Sequence, residues 1–330
     1  MKAIRIREPG PPEVLEPADV EAPRPGPGQA AIAVHATAVN RADLLQRRGA
    51  YPAPPGAPPD IPGLEFAGVV DGLGPGTDPS LLGRRVMGIL GGGGYAERVV
   101  VDASHLVPVP DGLDLVAAAA LPEAFWTAFD ALVLQGELGP GTRVLVHAAG
   151  SGVGTAALQV ARAFGAARIF GTASAGKLRA IAALGLPLDV PIDYRAASFR
   201  EVVLRETGGD GVDLVLDLVG APYWDDNLAC LAPRGRVLLV GLTGGATARV
   251  DLGRLLRGRV TVIGTVLRAR PAAEKAALAD RVRADLLPRF AAGELRPVVD
   301  RVLPLDRVAE AHEVMEANRN AGKIVLRIRG

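Results

Sequence analysis

The stretch Val144-Leu145-Val146-His147-Ala148-Ala149-Gly150-Ser151-Gly152-Val153-Gly154-Thr155 passes from a short apolar run, through small residues, into an alanine-rich segment. A strand that turns through glycines into a helix gathers backbone N–H groups and the positive end of the helix dipole at one point. That arrangement binds a pyrophosphate. The G-x-G-x-x-G spacing is imperfect: with Gly154 as the third glycine, Ala149 and Ser151 occupy the first two positions. Strands and helices alternate on both sides of the turn, which favours a dinucleotide site over a turn that only packs helix on strand.

An absence bears on which dinucleotide. NAD sites normally place Asp or Glu about 20 residues beyond the glycines, on the ribose 2′-hydroxyl. Here that position is Ser174, no acid occurs between Glu137 and Asp189, and Lys177 follows where a helix should begin. A 2′-phosphate is repelled by a carboxylate and held by a hydroxyl and an ammonium, so NADPH is the expected cofactor. An ordinary exposed helix residue is the plain alternative for Lys177, and Arg168 is a second candidate cation. Lysines are scarce in this chain (Lys2, Lys177, Lys275 and Lys323 against 33 arginines), so each one invites the question of what it touches.

Other chemically capable residues read as structural. His147 closes an apolar strand and is expected to be a satisfied core histidine. Cys230 lies in an apolar helical context, and Trp126 and Trp224 are expected to pack. Gly91–Gly94 reads as a tight hairpin, with a ligand-approach loop as the alternative. The four histidines are scattered and one cysteine cannot build a disulfide framework or a multi-cysteine zinc cage.

The elements that must position these groups fall into two styles. Of 27 prolines, 18 lie in residues 1–122. Proline lacks an N–H and has a fixed φ, so this density suits short strands and turns. Strands are predicted at Gln29–Ala36, Glu65–Asp71, Gly83–Met87 and Glu97–Val101. After a helix at Ala124–Leu134, apolar runs at Thr142–His147, Ile169–Thr172, Val212–Leu218, Gly235–Gly241 and Val260–Val266 alternate with helical patterns at Lys177–Leu184, Phe199–Glu206 and Tyr223–Leu231. That rhythm means βαβ units and a parallel sheet. Past residue 270 come a long helix, a strand at Val298–Val302, a helix at Asp306–Asn318 and a strand at Lys323–Ile328. This tail is expected to return to the first domain. The expected domains are therefore 1–122 plus 270–330, and 123–269.

Composition narrows the function classes. With 330 residues, 49% apolar, 22% charged and a net charge of +1, the chain has material for a large core and is not disordered. Near-neutral charge argues against a nucleic-acid or membrane-surface binder. No signal-peptide core or membrane-length apolar run is present, so a cytoplasmic protein is expected.

Six motifs in order, Asn40-Arg41-Ala42-Asp43-Leu44, Gly63-Leu64-Glu65-Phe66-Ala67-Gly68, Ala119-Ala120-Leu121-Pro122, His147–Gly154, Tyr223-Trp224 and Ala317-Asn318-Arg319-Asn320-Ala321-Gly322-Lys323, resemble a known family. Over nearly its whole length the chain is similar to the zinc-free medium-chain dehydrogenases/reductases, specifically NADPH:quinone oxidoreductases of the zeta-crystallin type. The tumour-suppressor-inducible quinone reductases are the nearest group. The resemblance implies an α/β fold, a GroES-like β-barrel domain plus a Rossmann doubly wound parallel sheet domain, with NADPH in the inter-domain cleft. It further implies that Ser174, Lys177 and Tyr194 surround the 2′-phosphate and that Ser151, Gly152 and Val153 meet the pyrophosphate. Gly241, Leu242 and Thr243, with Val266 and Leu267, would flank the nicotinamide, and Thr127 would be a further cofactor contact. Asn40, Asp43 and Tyr51 would line the substrate side. Zinc-dependent relatives carry a cysteine where Asn40 stands and a histidine where Leu64 stands, so no metal is expected.

The implied activity is electron transfer from NADPH to a quinone, in one- or two-electron steps, with NADPH supplying the electrons and the protein supplying orientation and dryness. Tyr51 is the expected acceptor contact, with packing as its alternative; Asn40 and Asp43 also fit a local cap or turn. The alternatives are a 2-alkenal or enoyl reductase on the same scaffold, with Tyr51 or Tyr95 as proton donor, and a non-catalytic NADPH sensor. The strand Val260–Val266 is expected at a sheet edge, pairing with its counterpart in a homodimer.

Overall fold

Proline and glycine punctuate the strands of the first segment. The computed structural model describes residues 1–329. β1 (Lys2–Ile6) and β2 (Leu15–Asp19) form an antiparallel ladder. β3 (Gln29–Val39) is the spine of a seven-stranded sheet with β4 (Glu65–Leu73), β5 (Arg85–Ile89), β6 (Arg98–Asp102) and β7 (Val107–Pro108). β4 lies on one side of β3. The other side is shared in succession: Gln29–Ala33 pair with β6, and Ala36–Val39 with a strand from the chain's end. Register shifts against β4 near Ala31 and Val34 bend the strand between its two partners. Alternate residues Ala30, Ile32 and Val34 meet Phe66, Val70, Val86, Val99 and Val101 in one core.

The chain then enters a second unit, Thr127–Val266. Its strands are β8 (Arg143–Val146), β9 (Arg168–Ala173), β10 (Val190–Asp193), β11 (Val212–Asp217), β12 (Leu231–Leu239) and β13 (Thr261–Gly264). All pair in parallel, in the order β10-β9-β8-β11-β12-β13. Helices Gly152–Ala163, Ala175–Ala183, Phe199–Glu206, Trp224–Ala229 and Leu252–Gly258 lie in or beside the crossovers. The strand order reverses between β8 and β11, which makes a doubly wound sheet with a switch point there. Val144, Leu145 and Val146 are fully buried, as strands covered on both faces require.

Two elements of this unit carry no clear periodic signal. β10 contains Pro191 and pairs, among the described residues, with β9 alone, so it stands at the sheet edge, where a missing N–H is tolerated. The helix Leu252–Gly258 leaves Leu252 and Leu256 exposed, so it lacks the apolar stripe that betrays a packed helix.

Residues from Leu267 onward rejoin the first unit, Met1–Trp126. After helices Ala272–Arg281 and Leu287–Ala291, β14 (Val299–Pro304) pairs in parallel with β15 (Lys323–Arg327). β15 pairs antiparallel with β3, and the helix Val308–Glu316 packs Val308, Ala311 and Val314 into a core with Ile4, Val39, Leu44, Tyr95 and Ile324. The division falls at Trp126/Thr127 and Val266/Leu267.

Candidate functional site

The glycine turn is built from local backbone chemistry. His147 N–H, just past β8, donates to Leu216 O at 3.0 Å. Ala148 adopts a left-handed φ of 50°, and Ala149 N–H then reaches Thr172 O at 2.9 Å, tying the turn to β9. Ser151 caps the following helix, its Oγ accepting from Gly154 N–H at 3.0 Å. A Cβ on Gly154 would stand 2.3 Å from Ala148 O, so only glycine lets helix and turn approach this closely. The N–H groups of Gly152 and Val153, the first two of a 12-residue helix, find no acceptor among the described residues. Two partly exposed donors at a positive dipole end fit a pyrophosphate.

His147 is a satisfied core histidine. Its Nδ1 bonds Thr172 Oγ1 at 2.9 Å and its Nε2 bonds Asn227 Oδ1 at 2.7 Å, and burial pushes its pKa down. Asn227 in turn donates to Asp217 Oδ2 at 2.9 Å, and Asp217 Oδ1 accepts from Val219 and Gly220 N–H at 2.7 and 2.9 Å. This carboxylate fixes the loop after β11. Cys230 is fully buried, and burial pushes its thiol up to about 12.

Ser174 is the N-cap residue of the helix Ala175–Ala183, and Lys177 is its third residue. Lys177 packs across the turn: a Cβ built on Gly150 would lie 2.8 Å from Lys177 Cβ and 2.9 Å from its Cδ. Tyr194 follows β10, 44% exposed, with the Arg195 guanidinium 5.7 Å from its ring. Past β12, Gly241 N–H donates to Asp217 O at 3.2 Å and Thr243 Oγ1 donates to Leu218 O at 2.9 Å, leaving Leu242 half exposed. Val266 is exposed beyond β13, and Thr127 is buried at the start of the unit. In a parallel sheet all strands end at one edge. Ser151, Gly152, Val153, Ser174, Lys177, Tyr194, Gly241, Leu242, Thr243 and Val266 therefore share the edge where such sheets bind ligands. Leu267 is buried and belongs to the other unit.

In that other unit Asn40 precedes the helix Arg41–Arg47 in an extended conformation, its N–H donating to Asp43 Oδ2 at 2.8 Å. Asp43 is fully buried and accepts two further bonds, from Gly63 N–H at 3.0 Å and Tyr95 OH at 3.1 Å. Burial raises its pKa to about 6 against the pull of those donors. Tyr95 OH also bonds His312 Nε2 at 3.1 Å, and His312 Nδ1 faces Arg47 Nη1 at 3.2 Å. Arginine only donates, so His312 Nδ1 accepts, Nε2 carries the proton, and the donors run in one direction: Arg47, His312, Tyr95, Asp43. Burial and Arg47 push the imidazole down to about 3, which keeps it neutral. Arg47 is anchored at its far end by Glu316.

The Asn40 amide spans two charges. Its Nδ2 donates to Glu65 Oε1 at 2.8 Å, and its Oδ1 accepts from Lys323 Nζ at 2.6 Å. Lys323 and Glu65 are themselves paired at 2.6 Å, 4% and 0% exposed. Zinc does not fit here. Leu64 is a buried apolar side chain where a metal ligand would be needed, and an ammonium already occupies the carboxylate. Among the described residues no three His, Cys, Asp or Glu side chains gather as a cage. Tyr51 is half-buried under the Arg268 guanidinium, which lies 5.0 Å from its ring and donates to Gly91 O at 2.8 Å, Tyr51 O at 3.2 Å and Gln46 Oε1 at 2.5 Å. Glu65, Arg268, His312 and Lys323 were not singled out as site residues from sequence, and Tyr95 entered only as an alternative proton donor. The scarcity of lysine and the motif ending at Lys323 were the signals that pointed to that residue.

A bent β unit joined to a doubly wound parallel unit with a glycine turn after its first strand is the architecture of medium-chain dehydrogenases/reductases. Residues 26–111 match the model of the alcohol dehydrogenase GroES-like domain, and residues 186–326 match that described as zinc-binding dehydrogenase. The synaptic vesicle membrane protein VAT-1 homolog of Rattus norvegicus is 34% identical over 318 residues, 92% of this chain and 78% of the relative. The quinone oxidoreductase of Homo sapiens is 31% identical over 329 residues, 99% of this chain and 97% of the relative. The crystal structure of Escherichia coli quinone oxidoreductase complexed with NADPH superposes with a TM-score of 0.88 at 29% identity, covering 99% of this chain and 100% of that one. The chain belongs to the medium-chain dehydrogenase/reductase family, among its zeta-crystallin-like members, and is an oxidoreductase by that membership.

Proposed function

We propose that this oxidoreductase passes electrons from NADPH to a quinone without a metal ion. The observation that carries the cofactor assignment is the packing of Lys177 over Gly150, beside two unpartnered helix N–H groups and with no carboxylate at Ser174. Gly152 and Val153 N–H, with Ser151, bind the pyrophosphate; Ser174, Lys177 and Tyr194 surround the 2′-phosphate. Gly241, Leu242 and Thr243, with Val266, Leu267 and Thr127, complete the cofactor contacts. When bound, the reduced nicotinamide supplies the electrons. Similarity to a quinone oxidoreductase complexed with NADPH supports this assignment.

On the acceptor side, Tyr51 offers a ring held in place by Arg268, and Asn40 offers an amide held by Lys323 and Glu65. Asp43 positions Asn40 through its backbone. A quinone is reduced by proximity and orientation, which this rigid cluster provides, and the Lys323 ammonium makes a second cation at Asn40 unfavourable. We further propose a homodimer joined through β13.

Steady-state NADPH oxidation with an ortho-quinone, a para-quinone and a 2-alkenal, with and without chelator, tests the assignment. Quinone turnover unaffected by chelator is expected. Preference for the alkenal replaces the quinone by a polarised alkene, and NADPH binding with no turnover of any acceptor leaves a sensor.

A further inference from the structure

Glu123, second residue of the helix Pro122–Phe129, is an acid that neither the sequence motifs nor the cofactor chemistry uses. Its backbone N–H donates to Glu65 Oε2 at 2.9 Å, but no described residue hydrogen-bonds or ion-pairs with its carboxyl group. Among the described residues no cation pairs with its carboxyl group, and two of those around it serve other partners. Lys323 serves Glu65 and Asn40, and Arg268 serves Gly91, Tyr51 and Gln46. Lys275, half-buried, feels Glu123, Asp102 and Arg268 together. The nearest negative groups, Glu65 and Asp43, oppose a second charge. Burial first, then Glu65, raise the Glu123 pKa to about 8. Glu65, whose Oε2 takes the Glu123 N–H, accepts from Asn40 Nδ2 through its Oε1 at 2.8 Å, so Glu123 and the acceptor-side amide share one carboxylate, and Glu123 and Tyr51 both keep part of their surface open.

The other acids of this unit are poorly suited to give up a proton to a ligand. Burial and the Asp43 charge push Tyr95 well up, and its hydroxyl is bound on both sides. Burial also raises Tyr51, leaving it a weak donor at neutral pH. Asp43 accepts three hydrogen bonds and has no exposed surface. A carboxyl with a proton to spare, an open face and no protein partner meets the requirements of general acid catalysis, which works best when the acid's affinity for protons is matched to the working pH.

We propose that Glu123 is the acid that protonates the acceptor held beside Tyr51. The inference rests on the assignment of this chain as a reductase of carbonyl-type acceptors. The acceptor gains two electrons and one proton from the reduced nicotinamide nucleotide, which becomes oxidised. It gains its second proton from Glu123 as the carboxyl O–H bond breaks and the acceptor O–H bond forms. The Glu123 carboxylate is then reprotonated from water.

The test combines NADPH, a para-quinone and the variants Glu123→Gln and Glu123→Asp. Wild-type kcat/KM is expected to be full below about pH 8 and to fall above it. Glu123→Gln is expected to lower kcat about 100-fold, at the low end for general acids, to lose the alkaline limb and to keep the wild-type Kd for NADPH. Glu123→Asp is expected to restore part of kcat with a displaced limb. Carbon-13 carboxyl NMR of the cofactor-free protein gives a readout independent of turnover: one glutamate resonance should titrate near pH 8 and vanish in Glu123→Gln. Wild-type kcat and limb in Glu123→Gln, or no glutamate titrating above the ordinary range, overturns the inference while the reductase assignment stands. Absence of turnover by wild-type protein with every acceptor overturns both.

Discussion

The Lys177 side chain lies across Gly150, with its Cβ and Cδ 2.8 and 2.9 Å from where a methyl group on that glycine would stand. Two positions 27 residues apart thus decide together where the ammonium goes. NADPH is expected to bind at least about tenfold tighter than NADH, because a charge-assisted hydrogen bond contributes about 1.5–3 kcal/mol and each 1.4 kcal/mol is a factor of ten. Lys177→Ala should shrink that preference by about tenfold. Gly150→Ala should act in the same direction by displacing the lysine stem. Fluorescence titration with both nucleotides measures this, and equal affinities in the wild type would remove the 2′-phosphate assignment.

Lys323 and Glu65 form a buried ion pair inside the first unit. Removing one partner strands the other in an apolar setting, which costs about 3–5 kcal/mol, whereas replacing both by apolar groups is far milder. Urea denaturation of Lys323→Met should show that loss, and the double variant Lys323→Met/Glu65→Leu should recover much of it. A single variant within 1 kcal/mol of wild type, on the scale of an exposed pair, would mean that the charges are not isolated from water.

Tyr95 links Asp43 to His312, so Tyr95→Phe removes one of three donors from a buried carboxylate and is expected to cost about 1–3 kcal/mol. The Asp43 pKa, already about 6, should rise further in that variant. Native Asp43 holds its proton more tightly than the unfolded chain, whose ordinary value is 3.8. Its contribution is therefore full below that value and is lost as pH rises through about 6, so stability falls over this window. Asp43→Asn should be less stable overall yet lack that slope, as followed by denaturant midpoints at several pH values.

β13 ends the parallel sheet, pairs among the described residues with β12 alone and leaves Val262 39% exposed. An unpaired edge of this kind invites a second copy. Light scattering should report a homodimer, and Val262→Lys, which places a charge at the joint, should shift it toward monomer. A wild-type monomer at micromolar concentration would exclude pairing through β13.

The parallel unit was largely legible in the sequence. A buried strand is a short apolar run, a glycine turn is a local backbone requirement, and each βαβ unit repeats the pattern within about 30 residues. The omissions share a cause: Pro191 disguised an edge strand, and the helix Leu252–Gly258 has no buried face to impose a period. That the residues following these strands share one edge followed as well, because residues after parallel strands must end on one side of the sheet.

The charged cluster around Asn40 was out of reach of any window. Glu65 meets Lys323 across 258 positions, Tyr95 meets His312 across 217, and Arg268 reaches Gln46 across 222. Local pattern reports backbone preference and one buried face, so sequence by itself determined the alternating architecture, the glycine turn and the missing acid beside it. Which distant side chains share a desolvated volume, and therefore which acid keeps its proton and which cation is already taken, was decided only when the tail strand paired with β3 and brought the C-terminal residues onto the first sheet.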